Sequence, residues 1–393
     1  MGGVVRLCAL LLAVASAAAA ALIVAPAPSM AFALGAIAAS EKSAWIAIAA
    51  ALALLLAVGD LLWGHRAGLI STLAALLAAG ALAVALIPVV QATRLGRARG
   101  VKIDWARALR APLDTAGPGR PNLTVPYTTG PEGRTLSLDV YLPPAPSVAP
   151  SRPSRPILVA HGGFWSAGQR GEAPLASRRL ADLGFTVFDV EYRLAPQPNW
   201  QTALGDVKCA IGWVKQHATT PDWNVDPAKL ALLGRSAGGH LVLMAAYAPG
   251  DPALPASCPA GDTSVDAVIA LYAPTDLIWG YEHPSNPRAA DSRARTRNFL
   301  GGAPDTEAAR YRALSPVERV TPGAPRTLLA HGGRDQLLDH AHLDLLAAKL
   351  AAAGVPHETL FIPWAQHAFD FGGGPSNQLL EPTLLRFLGA DVP

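Results

Sequence analysis

The sequence predicts an α/β domain, built on a mostly parallel sheet with helices on both faces, preceded by about three transmembrane helices. Two observations carry this fold class. Residues 1–93 are apolar and contain only five charged side chains, namely Arg6, Glu41, Lys42, Asp60 and Arg66. From residue 135 onward, short runs of apolar, β-branched and aromatic residues alternate with helical patterns. With 393 residues, the chain is long enough for both parts.

The overall composition points to contact with lipid. Hydrophobic residues make up 51% of the chain and charged residues 16%, and the mean hydropathy is +0.27, which is too apolar for an ordinary soluble protein. The tightest basic cluster, "RLGRARGVK" at 94–102, directly follows an apolar stretch, where phospholipid headgroups lie. Because basic and aromatic residues do not alternate anywhere, we expect membrane lipid and not nucleic acid as a partner.

Three stretches are long enough to span a bilayer, which takes roughly 20 apolar residues. They are Leu7–Pro26, Ser43–Trp63 and Ala67–Gln91. The segment "AFALGAIAAS" between the first two is too short to span and is expected at the interface. The first stretch could instead be a cleavable signal peptide, but its apolar run continues past the small residues that would suit cleavage. A helical bundle in water is the other alternative, which three long and almost uncharged runs argue against.

Basic residues near the span ends favour a cytoplasmic C-terminal domain. With three spans, Arg6 and Arg66 lie on one side of the membrane and Lys42 on the other. Six more basic residues share the side of Lys42: Arg94, Arg97, Arg99, Lys102, Arg107 and Arg110. A bridge between Cys209 and Cys258 is left open by the sequence and would favour an oxidising compartment instead.

Residues 94–134 are rich in Pro, Gly and Arg and are expected to be a linker, so the α/β domain is assigned to 135–393. The alternating segment "TLSLDVYLP" predicts an early, half-buried antiparallel strand. Interior strands are predicted at "ILVA", "FTVFDV", "LALL", "AVIALY", "TLLA" and "ETLFI", and helices over 202–217, 237–246 and 341–353. The segment 276–316 is too long for a simple connection and is expected to form a cap.

The pattern Gly-x-Ser-x-Gly at 234–238 lies between the strand "LALL" and a helix. A tight strand-to-helix turn lifts a serine hydroxyl clear of the sheet, and the flanking glycines accommodate the strained backbone. The pattern therefore predicts Ser236 as a nucleophile, with the N–H of Ala237 facing the position where an oxyanion would form.

A serine nucleophile needs a base and an orienting carboxylate. Asp335 follows the strand "TLLA", and His367 lies in a glycine-rich loop after the final strand, which gives the order Ser, Asp, His at the carboxyl ends of strands. Asp339 and Asp276 could compete for the role of the acid. Asp339 falls where a helix begins and would more naturally cap it, and Asp276 would need the cap to turn it inward.

The sequence His-Gly-Gly occurs twice after predicted strands, at 161–163 and at 331–333. In "LVAHGGFW" the glycines let the backbone turn so that amides point at a substrate oxygen, as in an oxyanion hole. Only the second copy is followed by an acid at the right spacing. We therefore interpret the copies as two strand-end turns with different tasks, and not as an internal duplication.

These residues resemble the α/β-hydrolase superfamily, in its carboxylesterase and lipase branch with the hormone-sensitive-lipase-like and feruloyl-esterase-like enzymes. "HGGFW", "EYRLAPQ", "GRSAGGH", "HGGRD" and "QHAF" stand in the family order from about residue 135 to 388. The resemblance implies an α/β-hydrolase fold, with Ser236 as nucleophile, His367 as base and Asp335 as its partner. It also implies that the amides of Gly163, Phe164 and Ala237 form the oxyanion hole, although Phe164 stands where lipases usually have a third glycine.

The resemblance implies a serine carboxylester hydrolase, an esterase or lipase acting on small-molecule or lipid esters without a cofactor. Three membrane spans are not part of the family pattern, and the expectation of a membrane-anchored enzyme comes from the apolar stretches. The three cysteines include no CxxC pair and no cluster with histidines, so a metal site is not expected. An amide or arylformamide hydrolase with the same triad is one alternative, because motif residues do not separate leaving groups. The other is a catalytically silent membrane scaffold, which the intact set of Ser, Asp, His and glycines argues against.

Overall fold

The computed structural model describes residues 2–63, 68–111, 119–130, 133–144, 153–220 and 222–390. This described part contains an N-terminal helical bundle followed by an α/β domain. Arg66, which entered the orientation argument, lies outside the described residues, as do residues 112–118 of the expected linker.

The bundle consists of α1 (Gly2–Val24), α2 (Met30–Glu41), α3 (Ser43–Trp63) and α4 (Leu69–Ala98). Among these, α1, α3 and α4 are long and apolar enough to cross a membrane. Small side chains let these three helices approach closely, and the buried ones in one cluster are Ala9, Ala13, Ala53, Ala57, Ala74 and Ala78. Large apolar side chains point outward instead, for example Leu55 and Leu76, which are 71% and 67% exposed.

One polar cluster ties the three long helices together. Asp60 on α3 accepts hydrogen bonds from Arg6 on α1 at 2.7 Å and from the hydroxyl of Ser71 on α4 at 2.6 Å. The charges are paired, as expected for ionisable groups among apolar helices.

The α/β domain is built on an eight-stranded sheet in the order β1-β2-β4-β3-β5-β6-β7-β8. Within the described residues, β2 runs opposite to the other strands, so the predicted mostly parallel sheet with an early antiparallel strand is confirmed. The strands are β1 (Leu123–Thr129), β2 (Thr135–Tyr141), β3 (Pro156–Ala160), β4 (Thr186–Val190), β5 (Ala231–Arg235), β6 (Ala267–Leu271), β7 (Arg326–Gly332) and β8 (His357–Ile362).

Helices cover both faces of this sheet. The domain helices are α5 (Trp105–Arg110), α6 (Pro174–Asp182), α7 (Trp200–Gln216), α8 (Ala237–Tyr247), α9 (Leu277–Glu282), α10 (Ser292–Leu300), α11 (Pro304–Ala313), α12 (Ala341–Ala352) and α13 (Pro375–Leu388). One buried core joins one face of the sheet to α7, α8 and α12. A second core joins the other face to α6, α13 and the end of α4. The carboxyl ends of the parallel strands all meet at one edge, where the predicted site residues lie.

The range 94–134 is more structured than the linker expected from its composition. It contains the last turn of α4, all of α5 and the edge strand β1. Pro126 lies inside β1 next to a shift in register, and an edge strand tolerates a proline that cannot donate a hydrogen bond. The proline and the polar residues of "LTVPYTT" hid this strand from the sequence pattern.

The bundle and the domain are joined by direct contacts as well as by the chain. Arg99, just after α4, donates to the carbonyl of Thr359 in β8 at 2.8 Å. Lys42 donates to the carbonyl of Ala108 at 2.8 Å. The buried carboxyl of Glu41, at the end of α2, accepts from the hydroxyl of Ser376 at 2.5 Å, and burial raises its pKa to about 7 although the hydrogen bonds from Ser376 oppose the shift.

Cys209 on α7 and Cys258 form a disulfide, with their Cα atoms 5.5 Å apart. The bridge that the sequence left open is therefore present. It ties α7 to the long connection between α8 and β6.

Candidate active site

Ser236 lies in a strained turn between β5 and α8. Its φ of 52° and ψ of −119° are unusual for a residue with a side chain. The turn is held by the N–H of Ser236, which donates to the carbonyl of Leu271 at 2.9 Å. Glycine is required at 238 because a Cβ there would collide with the carbonyl oxygens of Ala160 and His161 at the end of β3. The local structure is the sharp strand-turn-helix that the Gly-x-Ser-x-Gly pattern predicts.

His367 and Asp335 meet at the same edge of the sheet. The Nδ1 atom of His367 is 2.6 Å from Oδ2 of Asp335. The other carboxylate oxygen of Asp335 accepts the backbone N–H groups of Leu337 at 2.8 Å and Leu338 at 2.9 Å. Burial alone would raise the pKa of Asp335, but the charge of His367 and the hydrogen bonds from His331 and His367 outweigh it and hold this pKa well below its usual range.

The sequence did not identify His331 as a partner of Asp335. Its Nε2 atom is 3.2 Å from Oδ2 of Asp335 and also 3.2 Å from the carbonyl oxygen of Leu338. The available signal was the four-residue spacing within "HGGRD", which places both side chains on the same turn.

The two competing aspartates bind backbone amides at the starts of helices. Oδ1 of Asp276 accepts from the backbone N–H groups of Ile278 at 3.1 Å and Trp279 at 3.0 Å, at the start of α9. Oδ1 of Asp339 accepts from the N–H of Ala341 at 2.9 Å, at the start of α12. Their oxygens therefore bind backbone amides of their own helices.

A second histidine, His342, lies in the wall of the same cavity as Ser236. Its Nδ1 atom accepts the backbone N–H of Thr275 at 3.1 Å. Burial and the neighbouring His331 lower its pKa to about 3. A neutral histidine with this low pKa is a weak base, so His367 is better suited to that role.

The first His-Gly-Gly turn has an unusual backbone. Gly163, Phe164 and Trp165 have φ values of 107°, 54° and 57°. A Cβ at Gly163 would collide with the carbonyl oxygen of Ala167, which closes the turn by donating its N–H to the Gly163 carbonyl at 2.9 Å. The preceding Gly162 lies against Cβ of Ser236. The turn thus brings residues 163 and 164 beside the serine.

Buried side chains hold this turn in place. The hydroxyl of Tyr192 donates to the carbonyl of His161 at 2.9 Å, and Nδ2 of Asn199 donates to the carbonyl of Trp165 at 2.8 Å. The indole N–H of Trp165 donates to Nδ1 of His240 at 3.2 Å. Burial lowers the pKa of His240 to about 4, so this ring is a neutral acceptor near pH 7. The sequence showed "EYRLAPQ" as part of a resemblance but did not indicate that Tyr192 supports the turn.

Ser236 and His367 line one narrow cavity of about 40 Å³, which has room for only a few water molecules. The segment expected to form a cap contains α9, α10 and α11 and supplies part of the wall. The lining residues are Phe164, Trp165, Ser236, Ala237, Pro274, Asp276, Leu277, Gly280, Ser292, Thr296, Leu337, Leu338, His342 and His367.

The sequence profile of the BD-FAE family matches residues 138–350, from β2 to α12. The matched range contains Ser236 and Asp335, and His367 follows it. Esterase LipQ of Mycobacterium tuberculosis is 29% identical over 267 residues, which are 67% of this chain and 61% of the relative. Esterase LipC of the same organism is 34% identical over 235 residues, or 57% of this chain and 55% of the relative. The chain thus spans little more than half the length of these relatives.

Solved structures share the fold of the C-terminal domain. Esterase 2 of Thermogutta terrifontis, in a form phosphonylated by sarin, superposes with a TM-score of 0.57 at 25% identity and covers 70% of this chain and 97% of its own. A truncated carbohydrate esterase from gut microbiota gives a TM-score of 0.55 at 21% identity, again covering 70% of this chain and 97% of its own.

Proposed function

The chain belongs to the BD-FAE family, and from this premise we propose that it is a membrane-anchored serine hydrolase of carboxylic esters that forms an acyl-enzyme intermediate. The similar proteins named above are esterases. The observation that carries the proposal is the 2.6 Å contact between His367 and Asp335, made beside Ser236 at the edge of the sheet.

In the first half of the reaction, Nε2 of His367 takes the proton from the Ser236 hydroxyl while Oγ attacks the ester carbonyl carbon. The carbonyl oxygen becomes an oxyanion, which accepts hydrogen bonds from the backbone N–H groups of Gly163, Phe164 and Ala237. When the tetrahedral intermediate collapses, the bond to the alcohol breaks and His367 returns its proton to the leaving oxygen.

In the second half, a water molecule attacks the acyl carbon with His367 again as the base, and the bond to Ser236 Oγ breaks to release the acid. Asp335 keeps the proton of His367 on Nδ1, which leaves Nε2 free to face Ser236, and it stabilises the imidazolium that forms. Its depressed pKa supports this role because the carboxylate stays charged at every working pH.

A fluorophosphonate probe tests the nucleophile directly. We expect covalent labelling at Ser236 in the wild-type chain and none in Ser236→Ala, whose kcat for ester hydrolysis should fall on the order of 10⁶-fold. The thermal unfolding of the variant should stay unchanged, since the exchange removes only one oxygen. Labelling at another residue, or more than a few per cent of residual activity, would exclude the assignment.

The leaving group needs a separate measurement. Turnover of matched aryl ester and arylformamide substrates by the same preparation compares ester with amide cleavage. We expect the ester to be preferred, because both named relatives are esterases. A chain that folds but neither labels at Ser236 nor turns over either substrate would instead be a silent scaffold.

The membrane anchor in this proposal is the set of α1, α3 and α4, and we place the catalytic domain on the oxidising side of the membrane. The Cys209–Cys258 bond supports this side. The basic residues favour the cytoplasmic side. However, Lys42 and Arg99 bind carbonyl groups of the domain, so their positive charge has a structural use and need not report the orientation of the spans in the membrane. Cys209 is fully buried in the folded chain, so the membranes are denatured in an alkylating agent without reductant before mass measurement. Cys209 and Cys258 should be unmodified, and alkylation of both would overturn this placement.

A further inference from the structure

The connection between α1 and α2, residues 25–29, lies against the candidate active site, and we call it the α1–α2 corner. The backbone N–H of Ala27 donates to Oε1 of Gln336 at 2.5 Å, and the side chain of Asn286 donates to the carbonyl of Ala27 at 2.9 Å. Gln336 directly follows Asp335, and Asn286 belongs to the segment over the cavity. The first span therefore ends on the loop that carries the acid.

Apolar contacts continue from the α1–α2 corner to the cavity. Ala27 and Ala33 are buried in one cluster with Leu337, and Met30 and Phe164 pack on it. Phe164 and Leu337 also line the cavity around Ser236. These two side chains thus separate the cavity from residues of the membrane bundle by a single layer.

The position of α2 places this contact at the level of the membrane surface. α2 joins the end of one candidate span to the beginning of the next, so it lies where the hydrocarbon of a bilayer gives way to headgroups. Residues 23–40 contain no charged side chain. Phe32 and Leu34 on α2 are 51% and 56% exposed, which suits a lipid environment better than water.

The size of the cavity limits what it can enclose. Its volume of about 40 Å³ accommodates the reacting carbonyl and a short group, so any longer part of a substrate must lie outside. The rim at Phe164 and Leu337 is apolar and continues into Met30 and Ala33. A long hydrocarbon chain leaving the cavity there would remain out of water.

We propose that the active site takes its ester from the bilayer: the substrate is an ester of a membrane amphiphile, whose carbonyl enters between Phe164 and Leu337 while its hydrocarbon chain stays along the α1–α2 corner and α2. This inference rests on the esterase function proposed above. A bulk-water substrate would need no apolar surface that is continuous with the spans. The guanidinium of Arg295 lies over the Phe164 ring, 5.5 Å from its centroid, so this cation borders the rim and would face the polar end of the amphiphile.

Surface dilution tests the route of entry with the unmodified full-length chain. The chain is reconstituted in vesicles of ether-linked phosphatidylcholine, which has no acyl ester, together with p-nitrophenyl palmitate. When inert ether lipid is added at a constant bulk amount of ester, halving the mole fraction of the ester in the bilayer should halve the rate below saturation. A rate that follows the bulk concentration and ignores the mole fraction would overturn the proposal.

A variant at the rim gives a second test, measured as the ratio of kcat/KM for vesicle-borne p-nitrophenyl palmitate to that for soluble p-nitrophenyl acetate. Met30→Glu should lower this ratio about tenfold, because a carboxylate would lie in the path of the hydrocarbon chain. Phe32→Glu is the matched control, since it adds the same charge about 200° around α2, and it should change the ratio less than twofold. If Met30→Glu does not fold, Met30→Gln replaces it in the test, and this variant should also lower the ratio.

The outcomes separate the two proposals. Equal ratios in Met30→Glu, Phe32→Glu and wild type would overturn entry from the bilayer while leaving the esterase intact. A wild-type chain that hydrolyses neither ester and does not label with fluorophosphonate would overturn the esterase function itself.

Discussion

The two His-Gly-Gly turns follow β3 and β7, which β5 and β6 separate in the same sheet. They share the sequence Ala-His-Gly-Gly, yet they form different halves of the candidate site. The turn at 161–163 leaves β3 in the middle of the sheet, and Gly162 lies against Cβ of Ser236. The turn at 331–333 ends β7, and a Cβ at Gly332 would collide with the carbonyl of Ala365 in the loop that leads to His367. The first turn therefore borders Ser236, whereas the second borders the loop that leads to His367.

The two histidines show how far the roles differ. His161 stacks on Tyr192 with ring centroids 4.2 Å apart, and burial lowers its pKa to about 4. His331 instead contacts Oδ2 of Asp335 at 3.2 Å. The residues that follow each turn decide the difference, because Phe164 and Trp165 continue with positive φ whereas Asp335 turns back towards the histidine loop. Four identical residues therefore do not determine the function of a turn.

The largest expected effect is at the acid of the second turn. Asp335→Asn should lower kcat by about 10⁴, because an amide at this position favours the wrong tautomer of His367. Steady-state hydrolysis of a soluble aryl ester by the full-length chain in detergent measures it.

The controls for this prediction are the two capping aspartates. Asp276→Asn and Asp339→Asn should cost far less, since the amide oxygen of asparagine still accepts the N–H groups at the start of each helix. If Asp276→Asn were the most damaging of the three, the acid would follow β6 and the second turn would have no catalytic role.

The next effect is at the first turn. Gly163→Ala should lower kcat on the order of 10²-fold, because the new Cβ meets the Ala167 carbonyl and displaces amides that would bind the oxyanion. Gly184→Ala is a matched control, because Gly184 has a similar φ of 97° with open space around a Cβ. The control should lose stability through backbone strain while keeping its kcat, as thermal unfolding and kinetics of both variants would show. An unchanged kcat in Gly163→Ala would mean that this turn does not shape the oxyanion site.

Sequence reasoning correctly predicted the positions of residues that stand in local patterns. The span Ser43–Trp63 has the bounds expected from apolar length alone, and Ser236, Asp335 and His367 stand at strand ends in the chain order that the chemistry requires. The sequence predicted that Asp339 lies at the start of a helix, and its Oδ1 does accept the N–H of Ala341 there, because helix-start signals are also local.

What sequence reasoning missed depends on contacts between distant residues. Ala27 and Gln336 are 309 positions apart, and neither alanine nor glutamine carries a pattern that marks a contact. The strand β1 was missed because its pairing with β2 stabilises a segment whose own residues do not alternate cleanly. Tertiary packing decides both features, and local propensity cannot predict them.

A smaller effect is expected at His331, which we regard as a positioning residue. His331→Ala should lower kcat about tenfold, since a hydrogen bond to a charged carboxylate contributes about 1.5–3 kcal/mol and its loss lets Asp335 move. His331→Gln should recover part of the rate because its amide can still donate. If both variants lost the same activity, or if neither lost any, the contact of His331 with Asp335 would be structural only. His331 would then resemble His161 in having no influence on the position of Asp335.

The smallest effect concerns the contact of the second turn with the bundle. Nε of Arg334 donates to the carbonyl of Ile23 at 3.0 Å, at the end of α1 where helix carbonyls lack partners within the helix. Arg334 is half-buried and its backbone holds its place by donating to Ala365 at 2.9 Å, so Arg334→Ala should remove only the side-chain contact. We expect kcat for a soluble ester to change less than twofold and Tm to fall by about 2–4 °C, as for a loss near 1 kcal/mol in a domain of this size. A tenfold loss of kcat, as large as that of His331→Ala, would show that the end of α1 helps to hold Asp335 in place. The second turn would then depend on the N-terminal helical bundle for catalysis.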